Sequence, residues 1–476
     1  MSSRIWGYAV LPLILLTGCV PKVETAKPLP DSTIRSEMEQ RLDQSSDQPL
    51  MEQWWRCYED EQLNSMIDQA LSEAPGLKSI EARYAQANAL IQSVESHDLP
   101  HLSAQSSLIR ERFSENHIFP PPLGGSTNTQ YQAGLSLAYD FDFWNARRSR
   151  IQSARYAAMA QRASIAAAKT ALADALAEVY LSWHYDERRV TLLESLEKTC
   201  EEEHSILEKE YRLGLIDAAA LHRSTSALFE IRRRISGVKQ QIEGKKESLA
   251  VLGGFLPSYI ETLKAPHIGR PLSVPLPKEI MLNLLAHRPD VSVAKYTAMS
   301  KRYVIDEKKA RFYPDITLSG VIGFISFDWV KFIDHSSYVP SGGVALSLPL
   351  LDWGERNAAL EHSASDYNSS VYDYNQAVVK AANEVIVLLK QSRLIDAQRQ
   401  FHEQRMAALS NEAAIARRKL SLGLRNKLPY LSTSVGVTES ALDGVSIEES
   451  EALTRIRLMT ALGGGYSDKG DEHGSR

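Results

Sequence analysis

Between Leu135 and Phe141 the chain alternates: Leu135, Leu137, Tyr139 and Phe141 are apolar, while Ser136, Ala138 and Asp140 are small or polar. A period of two belongs to a strand with one apolar and one polar face. Val344, Leu346, Leu348 and Leu350 alternate with Ala345, Ser347, Pro349 and Leu351 and predict a second such strand. Partner strands are expected over 103–113 and 316–327, followed by loops that carry Pro120-Pro121-Pro122 and His335-Ser336-Ser337. Most of the remaining chain has a helical period. No proline or glycine occurs from Asn145 to Leu213, which predicts one helix about 100 Å long at about 1.5 Å per residue. Steps of four and three residues lead through Leu172, Leu176, Val179, Trp183, Asp186, Val190, Leu193, Glu197, Cys200, His204, Leu207 and Tyr211. Nine of these twelve are apolar or aromatic, the seam of a coiled coil. Asp186, Glu197 and His204 are expected on solvated flanks of the heptad. Leu213-Gly214-Leu215 ends the run with a residue suited to a left-handed cap, and the chain returns from Asp217 to about Leu252. Residues 356–422, a turn at Gly423 and a return through Ala461 repeat the arrangement.

The whole set of elements is present twice. Laying Pro75 on Pro289 puts Pro100 on Pro314 with no gap. Further on, Asp142 answers Asp352, Glu178-Val179 answers Glu384-Val385, and Leu252-Gly253-Gly254 answers Leu462-Gly463-Gly464. A period of about 210 residues is far longer than a solenoid repeat, so the two copies form one pseudo-symmetric body. The strand phase and the aspartates differ by one residue between copies, which predicts a one-residue bulge or turn difference in one of them.

The N-terminus bears on the compartment. Arg4 precedes a short apolar run ending Leu13-Ile14-Leu15-Leu16, then Thr17-Gly18-Cys19. The run is too short to span a bilayer and has the form of an export signal. Leu16-Thr17-Gly18-Cys19 resembles the bacterial lipobox, which implies removal of 1–18 and acylation of Cys19; Val20 in place of aspartate favours the outer membrane. The expected segments are then a lipid-anchored loose tether at 19–48, a first repeat at 49–256, a linker at 257–276, a second repeat at 277–464 and a polar tail at 465–476. Only Cys57 and Cys200 follow Cys19, so there is no disulfide framework, and whether these two pair is left open. A net charge of −5 with interspersed signs argues against nucleic acid as a partner. No later segment offers a transmembrane helix, so strands must make any crossing. Four strands cannot close a barrel, and an open edge is forbidden in lipid, so the chain is expected to be an obligate oligomer.

Several words resemble the outer-membrane efflux proteins related to TolC, in particular the lipoprotein subset. They are Trp54-Trp55 with Asp60 and Leu63, Tyr139 to Trp144, His287-Arg288-Pro289-Asp290-Val291, Ala310-Arg311-Phe312-Tyr313-Pro314-Asp315-Ile316, Leu350-Leu351-Asp352-Trp353-Gly354 and both Leu-Gly-Leu turns. The resemblance covers essentially the whole mature chain. It implies a mainly α fold with membrane β: duplicated coiled-coil hairpins plus four strands per protomer, a homotrimer closing a 12-stranded barrel over a periplasmic α-helical tunnel. It also implies that Leu213, Gly214, Leu215, Leu422, Gly423 and Leu424 form the hairpin tips where a periplasmic adaptor docks, coupling the channel to an inner-membrane pump. Family members often carry aspartates six and nine residues beyond the second tip glycine; Pro429 and Ser432 stand there instead. Arg425, Lys427 and Ser432 are therefore the candidate aperture-lining residues, with less attraction for cations than the family pattern. Asn145 replaces the glycine usual after the tryptophan of the first strand-to-helix join.

Enzymatic chemistry finds no support. His402-Glu403 begins like a zinc-protease word, but Met406 occupies the place of the second histidine, and there is no phosphate loop or nucleophile elbow. No catalytic residue, metal ligand or cofactor is expected. The chain is expected to be a passive outer-membrane conduit for small molecules, such as drugs, toxic organics or metals, in a tripartite efflux system. The alternatives are a polypeptide-secretion channel and a periplasmic coiled-coil adaptor or structural lipoprotein.

Overall fold

The structure, a computed structural model, describes residues 20–30, 53–116, 118, 120–268 and 288–466. After a 3-10 turn at Trp54–Tyr58 come α1 (Glu61–Glu73), α2 (Pro75–Ser96), β1 (His101–Arg112), β2 (Thr127–Phe141), α3 (Ala146–Arg212), α4 (Ala218–Gly253) and α5 (Pro257–Ile260). The second repeat contributes α6 (Pro289–Ala310), β3 (Asp315–Ser326), β4 (Tyr338–Ser347), α7 (Glu355–Ser421) and α8 (Leu428–Ala461). The duplication is literal in the lengths of several matched elements. α2 and α6 both begin at the matched prolines and have 22 residues, β1 and β3 have 12, and α3 and α7 have 67. Two compact units cut across the repeats, each drawing on both.

One unit comprises Arg83–Gln161, Val293–Tyr374 and the described part of Met1–Pro28. It holds an antiparallel sheet in the order β1-β2-β3-β4, so that β2 and β3, one from each repeat, pair at its centre. Leu102 pairs with Leu137, Leu135 with Ile322, and Leu318 with Val344. Paired residues share a face, so Leu102, Leu108, Tyr131, Leu135, Leu137, Tyr139, Phe141, Leu318, Ile322, Phe324, Val344 and Leu346 gather on one side. Ser103, Gln105, Gln132, Ser136, Ser319 and Ser341 lie on the other, where Ser103 and Ser136 hydroxyls hydrogen-bond at 2.6 Å. Gly134 stands opposite Gly323, and a Cβ on Gly323 would lie 2.5 Å from the Ala133 carbonyl oxygen. The close approach of β2 and β3 at this point requires glycine. The alternation expected to run to Leu351 stops at Ser347, two residues ahead of Pro349.

The strand-to-helix joins also differ by one residue, on the helix side of the aspartates. Asp142 accepts the Arg148 N–H at 3.0 Å, and Asp352 accepts those of Gly354 and Arg356 at 3.2 and 3.3 Å. Asn145 then takes φ 59° ahead of α3, where Gly354 takes φ 94° ahead of α7. Asparagine tolerates this left-handed conformation better than most residues, so the turn survives the loss of glycine with one residue more between aspartate and helix. The matched word around Tyr313 joins the second copy to the first: Trp144 stacks on Tyr313 at 4.6 Å and donates its indole N–H to the Pro314 carbonyl at 2.9 Å. Beside it Ile305, Phe312, Leu360 and Ala364 form a small core, joined by Val20 and Val23. The N-terminal stretch expected as a loose tether is thus held over its described part. Its backbone is bound by Asn368, and its side chains have an apolar groove to fill.

The other unit comprises the described parts of Leu29–Ala82, Arg162–Ser292 and Asn375–Arg476. Its core joins Trp54, Trp55, Leu63, Met66 and Ile67 to Leu176, Tyr180, Trp183, Leu249 and Ile456. Each fully buried side chain of this size contributes roughly 1.5–3 kcal/mol. Asp60 makes the Trp-Trp word structural: it caps α1 through the Leu63 N–H at 3.0 Å and accepts the Tyr180 hydroxyl at 3.0 Å. Arg288 does the same for its own word. Its buried guanidinium forks onto Asp290 at 2.9 and 3.0 Å and donates to Glu384 at 2.9 Å and the Ala461 carbonyl at 3.0 Å.

Among the polar heptad positions, Asp186 departs from expectation, whereas Glu197 and His204 keep partial exposure. Asp186 is buried and paired with Arg189 at 2.7 Å and with Lys245, so two cations replace the water it would otherwise need. Glu197 pairs with Arg232 at 2.7 Å, and His204 Nδ1 lies 2.7 Å from the Ser224 hydroxyl. α3 is packed on more than one side: Tyr180, Leu181 and Leu196 are buried although they lie off the seam. Cys57 and Cys200 are both free, and burial pushes each thiol up to about 11, away from reactive thiolate.

Candidate functional site

The hairpin tips are built by matching backbone devices. At the first, the Gly214 N–H donates to the Tyr211 carbonyl and the Leu215 N–H to the Glu210 carbonyl, both at 2.9 Å. At the second, Gly423 donates to Leu420 and Leu424 to Lys419, both at 3.0 Å. These are Schellman closures, which need φ above zero at the glycine; the values are 70° and 68°. The closure turns the flanking leucines outward. Leu213 is 74% exposed, Leu215 69%, Leu422 64% and Leu424 68%, an apolar surface at the end of each hairpin.

Beyond the caps the tips differ. Asp217 caps α4 by accepting the Ala220 N–H at 2.9 Å. The second tip has Lys427 at the corresponding cap, with no side-chain bond to the helix, and Pro429 in the first turn of α8, where a missing N–H is harmless. Lys427 instead pairs with Glu202 on α3, while Arg425 and Ser432 are exposed. The six tip residues and three aperture candidates therefore lie at or near the hairpin ends. Cys19 and His287 lie outside the described residues. His402, from the word that resembled a zinc site, packs on Gly444: a Cβ there would lie 2.6 Å from its Nε2. Among the described residues no cluster of histidine, cysteine, aspartate or glutamate is placed to hold a metal, and no helix is long and apolar enough to cross a membrane.

A further surface escaped the reading of the sequence. Along α7, Tyr372, Val379, Val387, Leu394, Phe401 and Ile415 are large, apolar and exposed. They recur at steps of seven or eight residues, or twice seven, the spacing of a coiled-coil seam. The same stepping applied to 355–421 would have found them. It would not have told an internal seam from an external one.

Comparisons with known proteins agree over the length of the chain. The family model for outer membrane efflux proteins matches twice, at residues 66–254 and 281–464. A putative multidrug resistance outer membrane protein of Shigella flexneri, MdtQ, is 27% identical over 96% of this chain and 98% of its own. The multidrug resistance outer membrane protein MdtP of Escherichia coli K12 is 26% identical over 87% of this chain and 86% of its own. In fold, the chain is similar to the Campylobacter jejuni CmeC outer membrane channel, with TM-score 0.83 at 19% identity over 95% of this chain and 96% of that one. The outer membrane protein VceC of Vibrio cholerae gives 0.80 at 24% identity, over 87% and 99%. Since both duplicated halves match the family model separately, the chain belongs to the outer membrane efflux protein family and is an efflux protein of the outer membrane.

Proposed function

We propose that this protein is the passive outer-membrane conduit of a tripartite efflux system, working as a homotrimer. The observation that carries this is the sheet, which has one apolar face and, within a single chain, an unpaired outer edge on both β1 and β4. Unpaired strand edges cannot face hydrocarbon, so copies must join edge to edge until the barrel closes. The exposed seam on α7 supports the same association, since a second copy can cover it. No bond is made or broken. The free energy of transport comes from an inner-membrane pump, and a periplasmic adaptor docks on Leu213, Gly214, Leu215, Leu422, Gly423 and Leu424. Closed into a ring, Arg425, Lys427 and Ser432 give an aperture with little attraction for cations. Cys19 carries the acyl chains that anchor the N-terminus. The cargo is small molecules, a reading favoured by the multidrug resistance names of the relatives.

Single-channel conductance in a planar bilayer, with oligomeric mass measured on the same detergent-extracted sample, tests the proposal. A trimer with discrete openings of mostly low conductance is expected. A monomer that passes no current would overturn it.

A further inference from the structure

Residues 24–29 are recognised through their backbone by two asparagines of α7. Asn368 Oδ1 accepts the Ala26 N–H at 2.6 Å while its Nδ2 donates to the Glu24 carbonyl at 3.2 Å. Asn375 Oδ1 accepts the Leu29 N–H at 2.8 Å. The two spacings agree. Three extended residues from Ala26 to Leu29 advance about 10 Å, and so do seven helical residues from Asn368 to Asn375. The segment therefore runs along the helix axis, in the same direction, in a register that an extended chain alone satisfies.

The first repeat has no such seat. α3 and α7 are both 67 residues long, and aligned end to end they put Met159 and Ala166 where α7 has Asn368 and Asn375. Leu360 and Ala364, which line the groove under Val20 and Val23, correspond to Ile151 and Arg155. Arg155 is taken up by Glu95 at 2.8 Å. Of two duplicated grooves, one is apolar with a pair of amide clamps, and the other carries an ion pair.

We infer that residues 20–30 are a ruler that sets the height at which residue 19 is presented to the membrane. Six extended residues back from Ala26 to Val20 span about 20 Å, the rise of about 13 helical residues, which brings Val20 level with the start of α7. Near that start Phe143, Leu350, Leu351 and Trp353 are exposed, an apolar collar with a tryptophan of the kind that settles at a membrane interface. Clamped in this register, the strap holds the acylated end level with the collar, so that lipid and sheet enter one bilayer at a fixed offset. The lipid in this inference rests on the proposed acylation of Cys19; the docking of the strap does not.

The test uses full-length protein extracted from membranes. In the unaltered chain the amides of Ala26 and Leu29 should be protected from hydrogen exchange, and the N368A/N375A variant should lose that protection by at least about tenfold. Deletion of Pro21 and Lys22 shortens the strap by about 7 Å. It should reduce the yield of assembled outer-membrane protein while the clamps are intact, and the N368A/N375A changes should restore the yield. A harmless deletion, or a deletion that the clamp variants fail to rescue, would overturn the ruler. Mass spectrometry of the N-terminal peptide separates the causes. Acylated Cys19 with unprotected amides would refute the strap, whereas protected amides with bare Cys19 would refute the lipid.

Discussion

Valine at Gly214 or Gly423 should disable the hairpin tips and leave the rest of the molecule standing. Both glycines have φ near 70°, where an L-residue is strained by about 1–2 kcal/mol and a β-branched one is a marked outlier. No atom lies within 4 Å of a Cβ built at either position, so the effect is backbone strain without collision. The chain can escape the strain by giving up the two Schellman hydrogen bonds, each worth roughly 0.5–1.5 kcal/mol net. The loss therefore settles at about 1–2 kcal/mol per tip, a factor of about 5–30 in the ratio of closed to open caps. The cores around Leu176 and Leu196 include no tip residue and should be unaffected. The assay pairs efflux of a fluorescent substrate from cells with the amount of detergent-resistant oligomer. G214V and G423V should cut efflux at unchanged oligomer, while G214N and G423N, which tolerate the left-handed conformation, should retain most of it. Loss of oligomer in the valine variants, or equal damage from asparagine, would refute the reasoning.

Arg288→Lys should lower stability by about 1–3 kcal/mol, because lysine keeps the charge but not the fork that spans Asp290, Glu384 and the Ala461 carbonyl. An unchanged denaturation midpoint would contradict this. Burial raises the Asp174 carboxyl from 3.8 to about 6, against the hydrogen bond it accepts from Thr460 at 2.8 Å. The folded state then holds this proton more tightly than the unfolded one, so its stabilising contribution is complete below about pH 4 and is lost as pH rises through about 6. Asp174→Asn should flatten that part of the stability profile, and a profile that kept its slope would show that another group titrates there.

Elements, turns and duplication could be read from the sequence because each depends on neighbours along the chain. Period two marks the strands, the run of 67 residues without proline or glycine marks α3, and Gly214 and Gly423 mark turns that few other residues can make. The apolar face of the sheet follows from alternation alone. Tertiary structure decided what depends on partners distant in sequence. Asp186 looked like a solvated break in a heptad until α4 brought Lys245 against it. The pairing of β2 with β3 joins the two repeats, and no local pattern encodes it. The apolar stripe on α7 was present in the sequence, but whether it faces inward or outward depends on what the other helices cover. Asn368 and Asn375 are ordinary helix-surface residues until an extended segment more than three hundred residues away lies across them. Local chemistry fixes which conformation a segment adopts; only the folded chain decides which of its surfaces are already taken, because burial and pairing are properties of two segments and not of one.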